Sequence, residues 1–157
     1  MAPYASRGNV RDFTEATREY RRLENVLAVD QWHAVGGANK VQFRNSFLNY
    51  TGDTLHTTAA FRRNPWGQVS LRGLITAGIA PAPGVDLFFL PEDYRPRKHM
   101  FFMVLASDGT TIGPVRVNIR FDDGGVEFEN DLTLTWVTTS NSSFLDIGSI
   151  SFYVDTA

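Results

Sequence analysis

The sequence predicts an all-β protein, a β-sandwich or jelly-roll-like domain preceded by one short α-helix. Three observations point there. From Trp32 onward the chain runs in short segments with an apolar residue at every second position, rich in Phe, Val, Ile and Thr. Gly, Pro, Asn and Asp interrupt these segments about every ten residues, the spacing of strands and turns. The first thirty residues instead carry a helical pattern, which divides the chain into an N-terminal arm and helix, residues 1–30, and a β-domain, residues 31–157.

The arm "MAPYASRGNV" is polar and leads into "RDFTEATREYRRLENVLAVD". Asp12 can cap the first backbone N–H groups, and Glu15 three residues later completes a capping box. Glu, Ala, Arg and Leu then favour a helix from about Phe13 to Val29. Its apolar positions Phe13, Ala16, Tyr20, Leu23 and Leu27 recur at intervals of 3 and 4, the narrow seam of a coiled coil rather than a broad core-facing stripe. Two heptads are too short to be stable alone in water. The helix therefore needs either companion helices around one axis or a place on its own domain.

The strands follow in order. Expected are "QFRNSFLNY", "TTAAFRR", "QVSLRGLIT", "VDLFFL", "MFFMVLA", "VRVNIRF", "VEFE", "LTLTWVT" and "SISFYV". The clearest is "VRVNIRF", which places Val115, Val117, Ile119 and Phe121 on one face and Arg116, Asn118 and Arg120 on the other. It turns through "DDGG" into "VEFE", and an Asp-Gly turn between alternating segments is a hairpin signal. Asp122 and Asp123 are accordingly read as turn residues and not as metal ligands. Trp136 alternates with Leu132 and Leu134, as a core residue would.

Between "VDLFFL" and the apolar run "HMFFMVLA", expected to be the most buried strand, stands "LPEDYRP". Pro91 removes a backbone donor and ends the first strand, and Pro96 biases Arg95 toward extended geometry. Tyr94 can pack its ring on the end of the domain while its hydroxyl reaches a backbone group. Pro91, Tyr94 and Pro96 thus read as a structural corner.

Composition excludes several chemistries. There is no cysteine, so disulfides, thiol catalysis and cysteine metal sites are absent. His33, His56 and His99 lack metal-ligand spacing, the glycines form no phosphate-binding loop, and the serines lack a nucleophile-elbow context. No catalytic residue, metal site or cofactor is expected. A net charge of −2 argues against a basic field for nucleic acid or anionic membrane, and no apolar run is long enough for a bilayer span. The N-terminus lacks the apolar core of a signal peptide, and "NYT" and "NSS" are glycosylation signals by pattern alone.

One aromatic residue stands apart. Trp66 lies in "RRNPWGQ", where Asn64, Pro65 and Gly67 mark a turn between strands. A tryptophan at a turn tip can stack on a sugar ring or fill a partner's pocket, so Trp66 and Asn64 are the candidate binding residues. The alternative is a lid over the domain's own core or a subunit contact.

The ordered set "FRRNPWGQVSLRGLI", "LFFLPEDYRPRKHMFFMVLA", "VRVNIRFDDGGVEF" and "LTLTWVTTSNSSFLDIGSISFYV" resembles the C-terminal head domain of phage tail, collar and neck fibre proteins. The likeness runs from about Trp32 to Val154. It implies a trimeric virion fibre head built on a β-sandwich, which in many relatives meets the host cell surface. The chain departs from that pattern in lacking a long repetitive shaft and in starting with its own arm and helix, which suits a compact spike or fibre tip. Such a tip could sit on a tail, baseplate, neck or capsid, or on a gene transfer agent.

The expectation that follows is a non-enzymatic homotrimer adhering to a host glycan or protein. It would be joined to other virion structural proteins through the arm Met1 to Val10, without nucleic acid binding or membrane insertion. A purely architectural virion protein, a free-standing lectin-like module and a depolymerase are the alternatives; the last would need convergent carboxylates.

Overall fold

The computed structural model describes residues 17–18, 30–52, 54–78, 82–129 and 143–154. Thr17 and Arg18, within the predicted helix, are helical. The seam positions Phe13, Ala16, Tyr20, Leu23 and Leu27 lie outside the described residues, as do the expected strand "LTLTWVT" and its Trp136.

The described residues contain the strands β1 (His33–Ala34), β2 (Phe47–Asn49), β3 (Ala60–Arg63), β4 (Gln68–Arg72), β5 (Leu74–Ala77), β6 (Val85–Phe89), β7 (Met100–Asp108), β8 (Ile112–Ile119), β9 (Gly125–Glu129), β10 (Ser143–Asp146) and β11 (Ser151–Tyr153), with a 3-10 turn at Glu92–Tyr94. They form a four-stranded sheet, β1-β3-β4-β11, and a seven-stranded sheet, β2-β5-β10-β7-β8-β9-β6. Each strand pairing is antiparallel.

The buried faces of both sheets share one core. Phe61, Val69, Leu71 and Phe152 of the smaller sheet join Val104, Val115, Val117, Ile119, Val126, Phe128 and Leu145 of the larger. Phe61, Phe88 and Phe128 are buried almost completely, each contributing about 2–3 kcal/mol relative to exposure. Among the described residues the regular structure is thus almost entirely β, as the alternating pattern predicts.

Three details differ from the sequence expectation. "QVSLRGLIT" is not one strand but two, because Gly73 sits at φ 107° and passes the chain from β4 in the smaller sheet to β5 in the larger. A Cβ there would lie 2.5 Å from the carbonyl carbon of Thr58, so backbone approaches backbone where no side chain fits. "QFRNSFLNY" shortens to β2, since Asn45 and Ser46 adopt positive φ just before it. Phe121 does not continue the buried face of β8; it lies in the following turn, 46% exposed.

The run expected to be the most buried strand is two-faced. In β7, Val104 and Ala106 point into the core, whereas Phe101, Met103 and Leu105 are 72%, 56% and 54% exposed. Register places Leu105 opposite Pro114 and Ser107 opposite the exposed Ile112 on β8. An apolar stripe therefore lies along the outer face of the larger sheet.

The "DDGG" hairpin forms between β8 and β9, with Arg120 N–H donating to the Gly125 carbonyl. Gly124 has φ 78°, and a Cβ on it would meet the Leu90 carbonyl oxygen at 2.3 Å. Arg120 lies across the turn and gathers three carboxylates: Asp86 of β6 at 2.8 Å, Asp123 at 2.8 Å, and Glu127 of β9. Hydrogen bonding to Asp123 and Asp86 raises the Arg120 pKa, and Arg120 in turn holds the Asp123 carboxyl at about 2. This cluster ties β6, β8 and β9 together at the end of the sheet that carries the "LPEDYRP" corner.

Candidate functional site

The corner is built as its prolines dictate. The Pro91 carbonyl accepts from Tyr94 N–H at 2.9 Å to close the 3-10 turn, and Arg95, ahead of Pro96, is extended at φ −89°, ψ 143°. The Arg95 side chain donates to the Leu90 and Asp122 carbonyls at 3.0 and 2.9 Å, clasping the corner to the β8–β9 turn. Pro96 is buried.

This arrangement aims Tyr94 at the edge of the smaller sheet. Its ring meets Phe61 edge-on, with centroids 4.9 Å apart, and His33 at 5.4 Å. Its hydroxyl reaches side chains rather than backbone, donating to the Asp30 carboxylate and lying 2.9 Å from His33 Nε2. His33 Nε2 is also 2.9 Å from Asp30 Oδ1; a carboxylate only accepts, so Nε2 carries the proton. Burial and the negative charge of Asp30 push the Tyr94 phenol well above its ordinary range. Burial opposes ionisation of Asp30, but hydrogen bonds from Tyr94 and His33 outweigh it and hold the carboxyl below its usual value.

His33 and Tyr94 of this cluster form one wall of a groove enclosing about 470 Å³. Trp32, His33 and Ala34 line it from β1 and the residue before it, Phe61 from β3, and Pro91 from the corner. Asn39, Lys40 and Val41 close the other side. Their loop is held by Gly36 N–H donating to the Val41 carbonyl at 2.7 Å, and by the Gln42 side chain donating to the Gly37 and Lys40 carbonyls at 2.6 and 2.7 Å. The lining is aromatic, with a few polar groups at its rim, the make-up of sites that bind small rings.

Trp66 stands at the tip of the β3–β4 hairpin, is 70% exposed, and is not among the residues that line this groove. Asn64 is engaged within the turn itself: Oδ1 accepts from Trp66 N–H at 3.1 Å and Gln68 N–H at 2.8 Å, and Nδ2 donates to Gln68 Oε1 at 3.1 Å. Arg63, the preceding residue, links this hairpin to the Asp30–His33–Tyr94 cluster and to the corner. Its N–H donates to Asp30 at 3.4 Å and its guanidinium to the Asp93 carbonyl at 3.1 Å.

Sequence reasoning singled out Tyr94 and Trp66 but missed Asp30, Trp32 and His33. The signal available was "DQWH", an acid, a tryptophan and a histidine crowded between the helical segment and the first strand. The other histidines lie elsewhere: His56 packs on Tyr50 with centroids 5.7 Å apart, and His99 on Phe121 at 4.9 Å.

No protein-family model and no curated protein matches the chain. Among solved structures, the fold is similar to that of the receptor binding protein (gp15) of Listeria phage PSA, with a TM-score of 0.65 and 9% sequence identity, over 92% of this chain and 76% of that one.

Proposed function

We propose that this chain is a bacteriophage virion protein whose β-head binds a receptor on the host cell surface. The observation that carries the reading is the fold similarity, over nearly the whole chain, to a phage receptor binding protein. The groove beside Tyr94 and, separately, the exposed Trp66 at a hairpin tip support a glycan or protein receptor as the ligand. Trp32, Phe61 and Tyr94 offer the ring faces on which a sugar packs, and Asn39 and Lys40 offer polar groups at the rim.

The same reading makes the head a jelly-roll-like homotrimer. Supporting this is the outward stripe Phe101, Met103, Leu105 and Ile112, since contiguous apolar surface of this kind marks interaction sites. The segment 1–30 attaches the head to other virion proteins. The head acts without catalysis, as a binder.

Adsorption decides it. Labelled full-length protein should bind host cells and block attachment of the particle, and Trp66→Ala should weaken binding with its melting temperature unchanged. Wild-type protein that neither binds nor blocks would leave an architectural virion protein as the better account.

A further inference from the structure

We propose that Arg62 and Arg72, held on the ring of Trp32, form a site for an anionic group, phosphate or carboxylate, carried on a saccharide. In the β3–β4 register Phe61 faces Leu71, and both are buried; Arg62 faces Ser70 and Arg72 faces Ala60. The two arginines therefore share the outward face of the smaller sheet, as diagonal neighbours about 7–8 Å apart, somewhat less at Cβ. Their guanidinium carbons lie 4.5 and 4.2 Å from the Trp32 ring centroid.

Among the described residues no carboxylate neutralises either guanidinium. Among the described residues, Arg62 and Arg72 have no ion pair and no hydrogen-bond acceptor, and Arg72 Nε is buried without one. Elsewhere in the chain Arg120 gathers three carboxylates, and Arg63 and Arg95 donate to backbone carbonyls. Stacking on an indole orients a guanidinium without cancelling its charge, and leaves N–H groups at its edge free to grip an anion in bidentate fashion.

The surroundings set the ligand class. Ser70 and, opposite it on β11, Ser151 lie on the same face as further hydroxyl partners. Trp32 is shared with the groove, where Lys40 adds a third cation and Phe61 and Tyr94 supply apolar walls. Asp30, two residues before Trp32, is occupied by Tyr94 and His33. The patch is local on a chain whose net charge is −2, which favours one anionic group beside a ring over a long polyanion.

The anion site rests on this geometry alone; that its natural ligand is a host-surface glycan rests on the function proposed above. The test is titration of the full-length chain with glucose 1-phosphate, glucuronate, glucose and inorganic phosphate, followed by the indole N–H resonance of Trp32 and by calorimetry. A sugar acid or sugar phosphate should bind with salt-dependent affinity and shift Trp32, and glucose should bind far more weakly. Arg62→Gln with Arg72→Gln should weaken the charged ligand at least about tenfold, at unchanged melting temperature. Arg62→Lys, which keeps the charge but loses the fork, should give an intermediate loss.

A wild-type Trp32 resonance indifferent to every anion, or equal binding by glucose and its phosphate, would overturn the site even if the double variant failed to fold. The relative response to phosphate and carboxylate identifies the anion. Charged-sugar binding without adsorption to host cells would keep the site and sink the receptor reading; adsorption without charged-sugar binding would do the reverse.

Discussion

The Tyr94 hydroxyl donates to the Asp30 carboxylate across 64 positions of sequence, fastening the entry of the β-domain to the corner before β7. Tyr94→Phe removes that bond but keeps the ring on Phe61, so it should cost about 1–2 kcal/mol. Tyr94→Ala also removes the ring packing and should cost about 3 kcal/mol. Thermal unfolding distinguishes the two, and equal losses would mean that the hydroxyl alone matters.

That bond also sets a pH signature. Asp30 is depressed in the folded state, so its contribution is present above the unfolded carboxyl value near 4 and disappears as pH falls through the lower folded value. Tyr94 is raised, so its contribution is complete below about pH 10 and declines above it, where the unfolded phenol ionises. The gap in melting temperature between wild type and Tyr94→Phe should therefore be widest from about pH 5 to 9 and narrow at both extremes. A gap independent of pH would contradict the assignment.

Arg120→Ala leaves Asp86, Asp123 and Glu127 without their shared cation. The expected cost is about 2 kcal/mol, below that of a fully buried pair because the Asp123 side chain is 47% exposed. Wild type should hold its stability down to about pH 4 and lose it toward the Asp123 value of about 2. The variant, relieved of repulsion by protonation, should close part of the gap between pH 6 and 4, as denaturant midpoints would record.

Gly73→Ala should be among the most damaging single changes. A Cβ at φ 107° facing the Thr58 backbone combines conformational strain with a clash that no rotamer relieves, about 3 kcal/mol or more. Expression as soluble, cooperatively melting protein would refute the need for glycine at the sheet crossing.

Met103→Glu together with Leu105→Glu should dissociate the proposed trimer while leaving each head folded, because both side chains already face outward. Sedimentation reports the first effect and melting of the monomer the second. Removing residues 1–29, which spares Asp30, should leave the heads mostly trimeric but unable to join the virion. A truncation that is folded yet monomeric would transfer the credit for assembly to the helix.

The sequence by itself determined the all-β class, because alternation with a period of two needs no knowledge of partners. The hairpin after β8 was equally legible, since Asp123, Gly124 and Gly125 are chosen for backbone reasons that act locally. Pro91 and Pro96 announced the corner for the same reason. Only the tertiary structure decided which apolar alternation faces the core. The run Met100 to Ala106 is apolar on both faces, and nothing local distinguishes Val104, buried among the strands, from Leu105, which is not. Gly73 could be read as a lapse within one strand until Thr58 was seen to pass against it. The groove was hidden because Trp32, Phe61 and Tyr94 come from separate segments, brought together by strand register and a corner; side-chain chemistry at a distance leaves no period in the sequence.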